Sequence, residues 1–156
     1  MGLHCSTVIT PVGVWGVEGD EEVVTRIYLP HEKAQATKGP VPHAVVIALK
    51  QLREYFDGKR TRFSVPLSPV NATAFQHDVW AALKDIPFGE VRTYADIAAA
   101  VNRPRATRAV GNANHVNPWP VIVPCHRVVA KTGLGGYGGG DDVKRFLLGL
   151  EGVHYP

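Results

Sequence analysis

In the stretch VIVPCHRVVA, residues 121–130, apolar positions surround a thiol and an imidazole set side by side, Cys125 and His126. A cysteine attacks as its thiolate, so a catalytic thiol needs a depressed pKa or a neighbouring base, and His126 and Arg127 are both within local reach. Adjacent side chains of an extended strand point to opposite faces. His126 can therefore serve Cys125 only if the chain turns at the cysteine or a water bridges the two. A third group must orient the imidazole, and Glu151 in LLGLEG, at the end of a short helix, has the chemistry for it. The competing reading is that Cys125 is a buried packing residue, the commonest fate of a free cysteine.

Other chemistries fail on spacing. Cys5, Cys125 and seven histidines are present, but no Cys-x-x-Cys or His-x-x-x-His pair offers a tetrahedral zinc site, so no metal and no cofactor is expected. The loop GLGGYGGG (133–140) lacks the Gly-Lys-Ser/Thr that completes a phosphate cradle. It reads instead as a flexible wall in which Tyr137 can lie against a flat ligand, with Gly138 and Gly139 keeping that wall wide.

The elements that must hold these groups follow from periodicity. Residues 6–29 read as a small antiparallel sheet, with VWGV and EEVVTRIYL separated by the turn EGD. Val45, Leu49, Leu52 and Phe56 fall at helical spacing over 43–56, and RFSVPLS alternates Phe63, Val65 and Leu67 as an edge strand marked by Pro66. The boundary falls between Pro69 and Thr73, giving an N-terminal domain over 1–70 and a C-terminal domain over 71–156. There, Asn71 or Thr73 can cap a helix carrying Phe75, Val79, Leu83 and Ile86. Thr93 caps a second helix with Asp96 three positions on, the four-residue turn NRPR follows, and RATRAVGNANHV begins a third helix. The fold class is α+β: a small N-terminal sheet with a helix, then a mostly helical domain containing a helix-turn-helix.

The 17 basic and 14 acidic residues give a formal charge of +3, unevenly spread. Between Ile97 and Gly140 stand Arg103, Arg105, Arg108, Arg127 and Lys131 and no acid. A basic segment on an otherwise acidic body suits an anionic partner or a plain solvated face. The outer face of the third helix, Ala106, Arg108, Ala109 and Gly111, sets small residues around one long cation, which suits close approach to a DNA groove. No apolar run reaches the roughly 18 residues that cross a bilayer, so no membrane association is expected. Two cysteines 120 positions apart make no disulfide framework, which points to a reducing, cytoplasmic setting.

PCHRVV (124–129), NP (117–118), RAVG (108–111), FGEVRTYADIA (88–98) and Glu151, in this order, resemble the O6-alkylguanine-DNA alkyltransferases. The likeness covers Phe75 to Gly152, while residues 1–70 fit that family's N-terminal domain in architecture alone. The resemblance implies that Cys125 accepts the alkyl group and that His126, through a water and toward Glu151, removes the thiol proton. Asn117 would hold the active-site turn, Tyr94 would protonate guanine N3, and the carbonyls of Cys125 and Val128 would read the guanine amine. Arg108 would fill the gap left by a flipped nucleotide, and Thr93 and Thr107 would join the DNA face. Duplex DNA carrying O6-alkylguanine is the implied partner, O4-alkylthymine a further substrate, and a monomer the implied state. Animal members bind a structural zinc in the N-terminal domain, but Cys5 has no second cysteine before Cys125, so that zinc is not expected. Thr107 and Asn114 are polar on the recognition helix where some relatives are apolar. Two alternatives from other classes stand beside this reading: a cysteine hydrolase using Cys125, His126 and Glu151, and a regulator that uses the helix pair alone.

Overall fold

The computed structural model describes residues 2–155 and divides the chain into two compact units, residues 1–70 and 71–156. In the first, strands β1 (His4–Thr10), β2 (Gly13–Gly19) and β3 (Val24–Tyr28) form an antiparallel sheet in the order β1-β2-β3. The turn between β1 and β2 is locked by Thr10, whose Oγ1 donates to Gly13 O at 2.8 Å and accepts from Val12 N at 3.1 Å. β3 starts at Val24 rather than in the preceding Glu21-Glu22, because the Asp20 carboxylate draws the N–H groups of Glu22 and Val23 into a turn. Helix α1 (His43–Phe56) packs on the sheet, burying Val45, Leu49, Leu52 and Phe56, and the Phe56 ring meets Trp15 edge-on at 5.6 Å. Gly16 permits the crossing of a neighbouring segment: a Cβ there would lie 2.4 Å from that of Ala34.

The expected strand over 63–67 is only a single parallel bridge, Val24 to Leu67. Pro66 contributes its carbonyl, accepting from Val24 N at 2.8 Å, but has no N–H to extend a ladder. Upstream, Gln51 takes the place of a strand partner: its Oε1 accepts from Ser64 N and its Nε2 donates to Ser64 Oγ, both at 2.9 Å.

The second unit is built from short helices whose starts are set by side chains. α2 (Ala74–Lys84) is capped by Thr73 in a reciprocal box with Gln76, so Thr73 and not Asn71 sets its start, and Ile86 lies beyond its end but is buried. Strand β4 (Arg92–Thr93) runs directly into α3 (Tyr94–Ala100), capped by Thr93 in the same way with Asp96. α4 (Thr107–His115) packs against α3. The connection is longer than NRPR: Val101 closes α3, Asn102 adopts a left-handed φ of 61°, and Ala106 caps α4. A 3-10 turn, Cys125–Arg127, leads into β5 (Val128–Val129), which pairs in parallel with β4, and α5 (Asp141–Leu150) follows. Trp80 and Trp119 pack edge-on at 5.9 Å, and Trp80 Nε1 donates to Ala113 O at 2.9 Å, fixing α2 on α4 and anchoring the loop before the cysteine. Among the described residues no helix is long and apolar enough to cross a membrane.

Candidate active site

The chain does turn at Cys125. Val123 and Pro124 deliver it into the 3-10 turn, and the backbone upstream is tightly bent: Val121, β-branched and buried, holds a left-handed φ of 75°, and Val123 N donates to Trp119 O at 2.8 Å. Asn117 clasps this bend at both ends. Its Nδ2 donates to Val123 O at 2.8 Å and its Oδ1 accepts from Trp119 N at 3.0 Å. Strain in the loop is thus held by the same side chain that works against the rise in the thiol's pKa.

His126, fully buried, meets Glu151 just past the end of α5, with Nε2 2.7 Å from Oε2. Burial alone would raise the Glu151 carboxyl, but hydrogen bonds and charge from His126 and Arg127 outweigh it and hold its pKa at about 2. The ionised carboxylate can only accept, so Nε2 carries the proton and Nδ1 keeps its lone pair. Burial lowers the His126 pKa, leaving a neutral imidazole whose buried Nδ1 has no hydrogen-bond partner among the described residues.

Arg127 is turned away from the thiol. Its Nε and Nη2 donate to the two Glu151 oxygens at 2.8 and 3.1 Å, and its Nη1 to Ile86 O at 2.7 Å. The cation that faces Cys125 is one the sequence reading passed over. Lys144 on α5 is wholly buried, donates to Val128 O at 2.6 Å and to Gly136 O at 2.9 Å, and pairs with no carboxylate among the described residues. Burial lowers its pKa to about 8. Burial likewise pushes the Cys125 thiol up to about 11, against which the Asn117 hydrogen bond and the Lys144 charge act. Lys144 belongs to the buried stripe of α5 with Leu147 and Leu148, and a lysine on an apolar stripe was the signal available in the sequence.

Beside this centre, Tyr94, Gly111, Asn114, His115, Gly136, Tyr137 and Gly138 line a cleft of about 310 Å³. That is the small end of the range for ligand pockets, roughly 300–1,000 Å³, and suits one planar group. Tyr94 Oη accepts from Gly136 N at 3.2 Å, so its own hydroxyl proton is not spent on that bond. Of the predicted pocket residues, Tyr137 and Gly138 line the cleft, whereas Val128 and Gly139 do not. The Val128 and Cys125 carbonyls already accept from Lys144 and from Asn114 Nδ2, the latter at 3.2 Å. On the outer side, Thr107, Arg108 and Ala109 are exposed, Thr93, Ala106 and Gly111 are half-buried, and Arg108 has no hydrogen-bond or ion-pair partner among the described residues.

What emerges is a buried free cysteine beside a buried histidine–carboxylate pair, carried on a helix-pair scaffold with a narrow cleft. Comparison narrows it. Residues 74–153 match the model of the 6-O-methylguanine DNA methyltransferase DNA-binding domain. A constitutive methylated-DNA–protein-cysteine methyltransferase of Bacillus subtilis is 45% identical over 161 residues, 97% of each chain. The crystal structure of Mycobacterium tuberculosis OGT in complex with DNA superposes with a TM-score of 0.85 at 42% identity, covering 96% of this chain and 93% of that one. An O6-methylguanine DNA methyltransferase from Methanococcus jannaschii gives 0.70 at 31% identity, over 94% and 92%. The chain belongs to the O6-methylguanine-DNA methyltransferase family.

Proposed function

We propose that this chain repairs duplex DNA by taking the alkyl group of O6-alkylguanine, and of O4-alkylthymine, onto Cys125, once per molecule. The observation that carries the reading is the buried thiol set one residue from a neutral imidazole whose other nitrogen is fixed by Glu151. His126 Nδ1 takes the thiol proton through a bridging water, and the imidazolium that forms is stabilised by the Glu151 carboxylate. Lys144, buried without a carboxylate partner, supplies the countercharge for the thiolate.

The thiolate attacks the alkyl carbon in line with O6. A carbon–sulfur bond forms, the carbon–oxygen bond breaks, and its electron pair passes into the purine. Tyr94 donates its hydroxyl proton to N3 as that charge develops, and an unalkylated guanine leaves. A base within a stack cannot present O6 to sulfur, so the nucleotide is extruded through the minor groove at a cost of a few kcal/mol. Exposed Arg108 fills the gap, while Thr93, Ala106, Thr107, Ala109 and Gly111 border the backbone.

The product is a thioether with no acidic leaving group, which distinguishes this chemistry from a hydrolase's thioester. Each chain therefore repairs one lesion and stops. It acts as a monomer, and a reducing cytoplasm keeps both cysteines as free thiols. The test is titration with excess duplex containing labelled O6-methylguanine, read by intact mass. A plateau near one methyl per chain, located on Cys125, supports the reading; sustained turnover, or no mass gain, removes it.

A further inference from the structure

Asn114 occupies the inner wall of the cleft, on the face of α4 that also buries Val110 and Ala113. Its residue surface is 8% exposed. Nδ2 donates to Cys125 O, and since a carbonyl can receive only a donor, this bond fixes which end of the amide faces the active-site turn. The other end, Oδ1, is buried and has no hydrogen-bond partner among the described residues. A buried acceptor without a donor is destabilising, and native proteins retain such groups chiefly where something else supplies the partner. His126 Nδ1, the other unpartnered acceptor nearby, is accounted for by the proton it must take; Asn114 Oδ1 has no part in that transfer.

The missing partner must be a donor that enters the cleft. Given the substrate proposed above, the candidates are few. Alkylation at O6 removes the N1 hydrogen of guanine, so the only N–H groups left on the base are those of the exocyclic 2-amino group. We infer that Asn114 determines substrate specificity: its Oδ1 accepts a hydrogen bond from the 2-amino group of the extruded O6-alkylguanine, while its Nδ2 holds the Cys125 carbonyl in place. A site that buries an acceptor rejects a ligand lacking the matching donor, because the acceptor then stays unpaired.

The experiment compares two duplexes that differ in this group alone, one bearing O6-methylguanine and the other O6-methylhypoxanthine, which is the same purine without the amine. Single-turnover rates of Cys125 methylation are read by intact mass for the wild-type chain, for Asn114→Leu, which keeps the shape without the amide, and for Asn114→Met, a second apolar replacement. Losing the Nδ2 bond slows both substrates alike, so the ratio of the two rates isolates Oδ1. The expected wild-type preference for O6-methylguanine is about tenfold or more, and it drops about tenfold in the variants. An unchanged ratio in a folded variant overturns the role of Asn114, as does a wild-type chain that methylates at equal rates from both. A wild-type chain that takes no methyl from either duplex overturns the transfer reading itself, and this inference with it.

Discussion

Cys5 and Cys125 are both buried free thiols, one in each unit, and burial raises the pKa of both, but the charged groups around them differ in sign. On β1, burial raises the Cys5 pKa and the Glu18 carboxylate raises it further; the thiol's hydrogen bond to Ser6 O is long, at 3.9 Å. In the second unit burial also dominates and lifts Cys125 to about 11, yet an amide from Asn117 and an ammonium from Lys144 oppose it. Burial is common to both, so it decides nothing about reactivity. The difference lies in which polar groups the fold carries to the sulfur, and in the imidazole one residue away from Cys125.

The sharpest test of that contrast exchanges the sulfurs. Cys125→Ser should abolish uptake of an alkyl group, whereas Cys5→Ser should leave the rate and the one-per-chain plateau unchanged, both read by intact mass. Residual uptake in Cys125→Ser would make Cys5 an acceptor and end the comparison.

Next in size is Glu151→Gln. It strands Arg127 and its buried charge, and losing one partner of a buried ion pair typically costs about 3–5 kcal/mol, measurable by urea denaturation. A loss within error would mean that water reaches Arg127.

The same cluster gives a pH dependence. His126 has a folded pKa below its usual 6.5, so the unfolded chain binds the extra proton first and stability falls as pH drops below about 6.5. The Glu151 carboxyl, held at about 2, adds a loss that begins near its usual 4.5 and continues as pH falls toward 2. Each group contributes a slope of at most about 1.4 kcal/mol per pH unit within its window. In Glu151→Gln the lower window should vanish from a plot of stability against pH.

Lys144→Met tests the electrostatic half of the contrast. Losing one pKa unit of thiolate stabilisation would slow alkylation of Cys125 by iodoacetamide about tenfold at neutral pH and leave Cys5 unaffected. Equal slowing of both thiols would mean a global loosening rather than a local field. The smallest effect lies away from both sulfurs: Thr73→Ala removes the cap of α2 at about 1 kcal/mol with no change in either thiol's reactivity.

Much of this was legible in the residues, and the exceptions share a cause. The capping residues Thr73 and Thr93 act within three positions of themselves, and periodicity gave α1 its bounds. The pairing of His126 with Glu151 could be guessed because only a group with the right chemistry near a helix end was needed. Arg127 was misplaced beside the thiol because proximity in sequence says nothing about where a long side chain turns; here it reaches Ile86 O, 41 positions back. Lys144 and Asn114 were passed over as chemistry because each lies on a helix face otherwise given to packing. A polar residue on an apolar stripe is the one local trace such residues leave. The edge strand at 63–67 failed for the opposite reason, since alternation cannot reveal that Gln51 has taken the partner's place.

Arg127 also has a consequence for local opening. The exposed turn that follows a helix ordinarily opens easily, and its amides exchange with solvent early. Here Glu151 cannot swing out without leaving a guanidinium buried and a histidine ring unanchored, so the turn after α5 is tied to the buried interior of its unit. The amide of Glu151, bonded to Leu147 O and Leu148 O, and that of Val153, bonded to Leu148 O, should retain deuterium protection on the timescale of the buried core. Release of that protection would report the moment the Glu151 carboxylate lets go.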